Sequence, residues 1–126
     1  MTLAHAPNDS ELELLKVLWR QAPLSAREIQ DRLPARLGWA ASTTRTVLER
    51  MRAKGLLERR EVHGVAVYAP ADSKARVLGG VLKRLMRVLE VDGPLPASAF
   101  SGSQVLSEDE LAELQAILDA EAEDGQ

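Results

Sequence analysis

The chain of 126 residues contains no cysteine. Disulfide bonds, thiolate metal sites and cysteine nucleophiles are therefore excluded, and the composition fits a reducing compartment. No apolar run approaches the roughly 18 residues of a membrane span, and residues 1–7 lack the apolar core of a secretion signal. We therefore expect a cytoplasmic protein that does not contact a membrane.

Common enzyme motifs are also missing from the sequence. It has no P-loop, no GxGxxG and no GxSxG motif. His5 and His63 are the only histidines, so a metal site would need both of them to converge with carboxylates. We predict no catalytic residues, no metal site and no cofactor.

The last part of the chain lacks positive charge. Residues 92–126 contain nine Asp and Glu but no Lys or Arg, whereas residues 1–70 contain eleven Lys and Arg against eight Asp and Glu. The net charge of −3 therefore hides a basic front and an acidic tail. Because salt screens exposed charges beyond roughly 10 Å, the front can still attract phosphates.

The pattern of the front predicts three helices and then a β-hairpin. The apolar spacing and capping residues predict helices over 9–21, from Ser25 to Pro34 and over 42–54, and strands over 57–62 and 65–69. His63-Gly64 is the predicted turn between the strands. This order is that of a winged helix-turn-helix. We expect a mainly α protein with a small β-hairpin, in which residues 1–72 form a winged-helix DNA-binding domain.

Residues 73–126 are predicted to form a helical dimerisation region. A helix over 74–91 has a broad apolar face, and Gly79-Gly80 within it indicates close approach of another helix. A connector rich in Pro, Gly and Ser over 92–106 precedes a final helix that begins at Ser107. Neither helix is expected to bury its apolar face alone. The predicted dimer contacts are Val77, Leu78, Val81, Leu82, Leu85, Leu89, Leu111, Leu114 and Leu118.

The third helix has the composition of a helix that enters the DNA major groove. Thr44, Val47, Leu48 and Met51 form an inward stripe, so the opposite face is left outward. Short polar side chains near the helix start let the backbone approach the bases, and an arginine can then bind guanine O6 and N7. The predicted DNA contacts, including basic residues near the hairpin, are Ser42, Thr43, Arg45, Thr46, Arg50, Lys54, Arg59, Arg60 and His63.

Other interpretations of this face stay open. The polar side chains are also typical of a solvated helix, or of a winged helix that binds protein without sequence-specific DNA binding. Glu49, on the outward face, is mildly unfavourable for DNA, although it could accept from cytosine N4 or pair with Arg45. Trp19 is interpreted as a core residue. Trp39 has two interpretations, packing under the third helix or contact with the DNA backbone.

Residues 11–70 resemble the penicillinase-repressor family, also called the BlaI/MecI/CopY group. The resemblance lies in ELELLKVLW (11–19), PLSAREIQDRL (23–33), GWAASTTRTVLERMRAKGLLERR (38–60) and VYAP (67–70), and LSEDELAELQAILDAE (106–121) is similar to the last helix of the family. It implies a homodimeric repressor on a palindromic, double-stranded operator. Thr43 and Arg45 would face bases and Arg50 the backbone.

The resemblance also bears on the remaining contacts to DNA and on the signal that would relieve repression. Val65 and Ala69 stand where the family often has basic residues, which shifts the expected phosphate contacts to Arg59, Arg60 or His63. The absence of a C-terminal cysteine cluster argues against copper sensing. Family members that control β-lactam response genes, and hence antibiotic resistance, are cut by an inducer-activated protease. The corresponding bond here would be Ala99-Phe100, in the connector.

Overall fold

The computed structural model describes residues 7–91, residue 102 and residues 104–124. Two compact units divide the chain, one from Pro7 to Asp72 and one that begins at Ser73. The elements of the first unit are α1 (Asp9–Arg20), β1 (Leu24–Ser25), α2 (Ala26–Arg32), a 3₁₀ turn (Ala35–Leu37), α3 (Ala41–Ala53), β2 (Leu57–Val62) and β3 (Val65–Pro70). Those of the second are α4 (Lys74–Val88) and α5 (Glu108–Asp124).

The first unit is a winged helix-turn-helix, as the sequence predicts. Its three strands form one antiparallel sheet in the order β1-β3-β2. The short strand β1 was not predicted, because two residues carry no alternation that could be recognised. It pairs Leu24 with Tyr68 and Ser25 with Val67. The core of this unit is apolar, and its fully buried side chains include Leu14, Leu15, Leu18, Leu24, Ile29, Leu48 and Met51.

Capping boxes set the starts of α1 and α2 where the sequence predicts them. Asn8 and Glu11 exchange side-chain and backbone hydrogen bonds at the start of α1, both at 2.9 Å. Ser25 and Glu28 do the same at the start of α2. Each box satisfies two backbone N–H groups that the helix itself leaves without partners.

In the second unit, α4 and α5 pack against each other. Leu114 and Ala75 are fully buried there, and the apolar side chains packed around them are Leu78, Leu82, Leu111, Ile117 and Leu118. A Cβ on Gly79 would lie 3.5 Å from both Leu114 and Ile117, which confirms that this glycine marks close approach of another helix. Ser107 and Glu110 form the predicted capping box of α5.

Two predictions for the second unit were wrong. The two helices do bury part of their apolar faces against each other within one chain, so Leu114, at 0% exposure, is not free for a partner. Val77, another predicted dimer contact, is 2% exposed. The helix predicted over 74–91 also ends earlier, at Val88. Glu90 takes a positive φ of 56°, and the Val91 N–H turns back to the carbonyl of Met86 at 3.0 Å, which closes the helix.

None of the helices in the described part of the chain is long and apolar enough to cross a membrane. Among the same residues, no group of three or more His, Asp and Glu is placed to hold a metal ion.

Candidate nucleic-acid interface

The helix α3 has one buried face and one exposed face. Thr44, Leu48 and Met51 are at most 1% exposed, which confirms the predicted inward stripe. The predicted DNA contacts that lie on the helix are all exposed, namely Ser42, Thr43, Arg45, Thr46 and Arg50. Because one face of α3 packs against the core, the opposite face is accessible to a ligand along the length of the helix.

Gln30 of α2 holds the start of α3. Its side-chain amide donates to the carbonyl oxygen of Trp39 at 2.7 Å, and its Oε1 accepts from the hydroxyl of Thr44. Trp39 itself is half-buried. This network was not predicted from the sequence. The available signal was Thr44, since a polar group within an apolar stripe needs a partner.

A Schellman motif and an ion pair fix the end of α3. Gly55 has a φ of 83°, and the N–H of Leu56 donates to the carbonyl of Met51 at 2.9 Å. The ammonium of Lys54 lies 2.8 Å from Oε2 of Glu11, whose side chain is 2% exposed. Lys54, which the sequence assigned to DNA, therefore has an internal partner, and we leave it out of the proposed contacts.

The charged groups of the exposed face are arranged differently from the expectation. Glu49 pairs with Arg52 at 2.7 Å and not with Arg45. The hydrogen bond from Arg52 lowers the pKa of Glu49, and the charges of Arg52 and Arg59 lower that pKa further. The guanidinium of Arg45 has no hydrogen bond or ion pair with any residue that the structure describes. It is therefore free to bind a ligand.

The hydroxyl of Thr46 is also partly committed. It donates its proton to the carbonyl oxygen of Ser42 at 2.9 Å, one turn earlier in α3. A hydroxyl that donates within the helix still has lone pairs, so Thr46 can offer an acceptor to a ligand.

The hairpin of β2 and β3 forms the predicted wing. His63 and Gly64 both have positive φ, at 52° and 79°, as a two-residue type I′ turn requires. The register places Arg59 opposite Tyr68 and Arg60 opposite Val67. Because neighbouring residues of a strand point to opposite faces, the sheet separates the two arginines that the sequence analysis grouped together.

Arg59 lies on the side of the sheet that faces α3. Its partner in register, Tyr68, is 5% exposed and belongs to the core, and the charge of Arg59 acts on Glu49 of α3. Arg60 lies on the other face. The exposed face of α3 and the adjoining face of β2 therefore carry Arg45, Arg50, Arg52 and Arg59 against two carboxylates, those of Glu49 and Glu61, since Glu61 shares the face of β2 on which Arg59 lies.

Comparison with known proteins gives two findings. The family described as penicillinase repressor matches residues 8–120. A penicillinase repressor from Bacillus licheniformis is 33% identical over 63 residues, which are 50% of this chain and 49% of that protein. The match thus spans about half the length of this curated relative.

Proposed function

The chain belongs to the penicillinase repressor family, and from this premise we propose that it is a DNA-binding transcriptional repressor. The observation that carries the proposal is the exposed face of α3, where Arg45 has no partner within the described residues. An arginine in that state can bind guanine O6 and N7 with two hydrogen bonds, without first giving up an internal ion pair.

The proposed contacts divide into two kinds. Ser42, Thr43, Arg45 and Thr46 lie on the first turns of α3 and would approach base edges. Arg50, Arg59 and His63 would contact phosphates, which hold the protein in place without distinguishing sequences. Arg60 lies on the opposite face of the wing from Arg59. Of the phosphate contacts expected from the sequence, the one at Arg60 therefore has the least support.

We further propose that the repressor is a homodimer on a palindromic operator. Exposed apolar side chains on the last turns of α4 support this proposal: Leu85, Val88 and Leu89 are 50%, 70% and 60% exposed. Val81 is half-buried and continues the same stripe toward the helix start. A partner subunit would remove these side chains from water.

The dimer can be tested in the full chain. Leu85→Glu would place a charge on the stripe, so light scattering should show a monomer at concentrations where the unchanged chain is a dimer. Val65→Glu is the matched control, since Val65 is 51% exposed but lies on the wing. If Leu85→Glu stays dimeric, the stripe is not the interface.

Relief of repression by proteolysis is the third part of the proposal, and it rests on the family resemblance. The bond concerned, Ala99-Phe100, lies outside the described residues. Mass spectrometry of the chain from cells exposed to a β-lactam should show a cut in the connector. An intact chain during full derepression would rule cleavage out.

The function itself is tested by selection of bound sequences from random double-stranded DNA, together with the salt dependence of binding. An inverted repeat and a steep loss of affinity with salt are expected, because phosphate contacts release counterions. If no sequence is enriched and binding does not depend on salt, a winged helix that binds protein is the better assignment.

A further inference from the structure

The centre of the exposed face of α3 is not basic. With about 100° per residue, Ser42, Thr46, Glu49 and Ala53 fall within a sector of about 60°, directly opposite the buried stripe. All four are exposed, and we call them the outward ridge. Three of the four side chains are small, so a surface that meets α3 head-on would approach the backbone closely and meet a single charged group, Glu49.

The arginines lie beside the ridge and not on it. Arg45 and Arg52 flank it on one side and Arg50 on the other, each about 70–90° from its centre. In a major groove, phosphates line the two walls and base edges form the floor. A helix that enters with its outward ridge foremost thus directs Glu49 toward the floor and Arg50 and Arg52 toward the walls, while Arg45, about 40° around the helix from Glu49, still reaches a base edge.

The carboxylate of Glu49 is held in a defined orientation. Nε of Arg52 donates to its Oε2 at 2.7 Å. Within the described residues, Oε1 of Glu49 accepts no hydrogen bond. The side chain is 48% exposed. One acceptor oxygen is therefore left for a ligand while the other is bound to Arg52, and the hydrogen bond from Arg52, which lowers the pKa of Glu49, keeps the carboxylate ionised at neutral pH.

The bases differ in whether their major-groove edges can donate a hydrogen bond to such an oxygen. Cytosine presents an amino group at N4 and adenine one at N6, and both donate to a carboxylate. Guanine presents N7 and O6 and thymine presents O4, all of which are acceptors that repel it. We propose that Glu49 is a specificity-determining residue, which accepts a hydrogen bond from the amino group of cytosine or adenine and excludes guanine and thymine at one position of each half-site.

This inference rests on the proposed function, since it needs α3 in a major groove. It goes further because it assigns a carboxylate to sequence discrimination on a surface that otherwise attracts DNA by positive charge. Removal of Glu49 should not weaken binding in general. It should remove a penalty against the wrong bases, so overall affinity holds or rises while selectivity falls.

The test is selection from a random double-stranded DNA pool with the full chain and three variants. The unchanged chain should enrich a position occupied by cytosine or adenine. Glu49→Ala should make that position degenerate, with a loss of about tenfold discrimination. Glu49→Gln should shift the preference toward adenine, because an amide both donates to N7 and accepts from N6.

Asp31→Asn is the matched control. Asp31 is exposed on α2 in the same unit, so the variant loses one negative charge as Glu49→Gln does. It can raise affinity for all DNA but should leave every base preference unchanged.

The possible results distinguish failure of the role proposed for Glu49 from failure of the proposed function. If the unchanged chain selects a sequence and folded Glu49→Ala keeps the same preferences, the inference is overturned and the proposed function stands. If folded Glu49→Ala loses binding altogether, the excluding role is equally overturned. If the unchanged chain selects no sequence at all, the proposed function fails and the inference fails with it.

Discussion

The ammonium of Lys54 lies 2.8 Å from Oε2 of Glu11, and this ion pair joins the end of α3 to the start of α1. Glu11 is 2% exposed, and its other oxygen accepts the backbone N–H of Asn8 in the capping box. The two residues are 43 positions apart in the sequence. One carboxylate therefore caps α1 and fixes the position of α3 at once.

Loss of the lysine should destabilise the fold. Lys54→Met leaves the carboxylate of Glu11 without its counterion, which should cost about 1–3 kcal/mol in the free energy of unfolding. The full cost of a buried pair is not expected, because the side chain of Lys54 is 29% exposed. Urea unfolding measures the effect. The control is Lys16→Met, which breaks the pair with Glu13 at a lysine that is 46% exposed and should change stability by less than about 1 kcal/mol.

The salt dependence of DNA binding decides what Lys54 does. An internal role predicts that folded Lys54→Met keeps the salt slope of the unchanged chain. A decrease in slope by about one phosphate contact per subunit would return Lys54 to the DNA surface.

The hydrogen bonds of Gln30 give a second prediction. Gln30→Ala removes the partner of the Trp39 carbonyl and leaves the hydroxyl of Thr44 with its longer hydrogen bond, 3.5 Å, to the carbonyl of Ala40, so stability should fall by about 1–3 kcal/mol. The start of α3 should also be held less firmly, which weakens operator binding at temperatures where the variant is still folded. Gln21→Ala, at an exposed position after α1, is the control and should change neither property. Equal stability of the two variants would show that the network contributes nothing.

Two substitutions of Gly79 should change the stability of the second unit in opposite directions. A Cβ there would sit at 3.5 Å from Leu114 and Ile117, which is ordinary contact. Gly79→Ala should therefore stabilise α4 by about 0.5–1 kcal/mol, through the helix propensity of alanine. Gly79→Leu has no room and should destabilise the second unit by about 1–3 kcal/mol. Thermal unfolding followed by circular dichroism compares the two, and a loss of stability in Gly79→Ala would mean that the helices approach more closely than the contacts indicate.

The elements of the first unit could be predicted because local signals set them. Asn8 and Ser25 mark helix starts, Gly55 marks a helix end, and the valines around His63-Gly64 mark a hairpin. The buried face of α3 followed from the spacing of Thr44, Leu48 and Met51 alone.

The contacts between elements could not be predicted in this way. Glu11 and Lys54, and likewise Gln30 and Trp39, meet only because the fold brings separate helices together. That Arg59 and Arg60 lie on opposite faces follows from strand alternation alone, but which of the two faces α3 depends on the register of β2 on β3. The early end of α4 at Val88 depends on Glu90 in a left-handed conformation, which a non-glycine residue seldom adopts.

The measurement that tests the central claim most directly is binding of Arg45→Ala and Arg59→Ala to the selected operator and to scrambled DNA at two salt concentrations. Arg45→Ala should cost about 1–3 kcal/mol per half-site on the operator and far less on scrambled DNA, because it removes a contact to bases. Arg59→Ala should weaken binding to both DNAs about equally and lower the salt slope by about one phosphate contact per subunit. If folded Arg45→Ala weakens both DNAs equally, or neither, then α3 does not distinguish sequences and the account is contradicted.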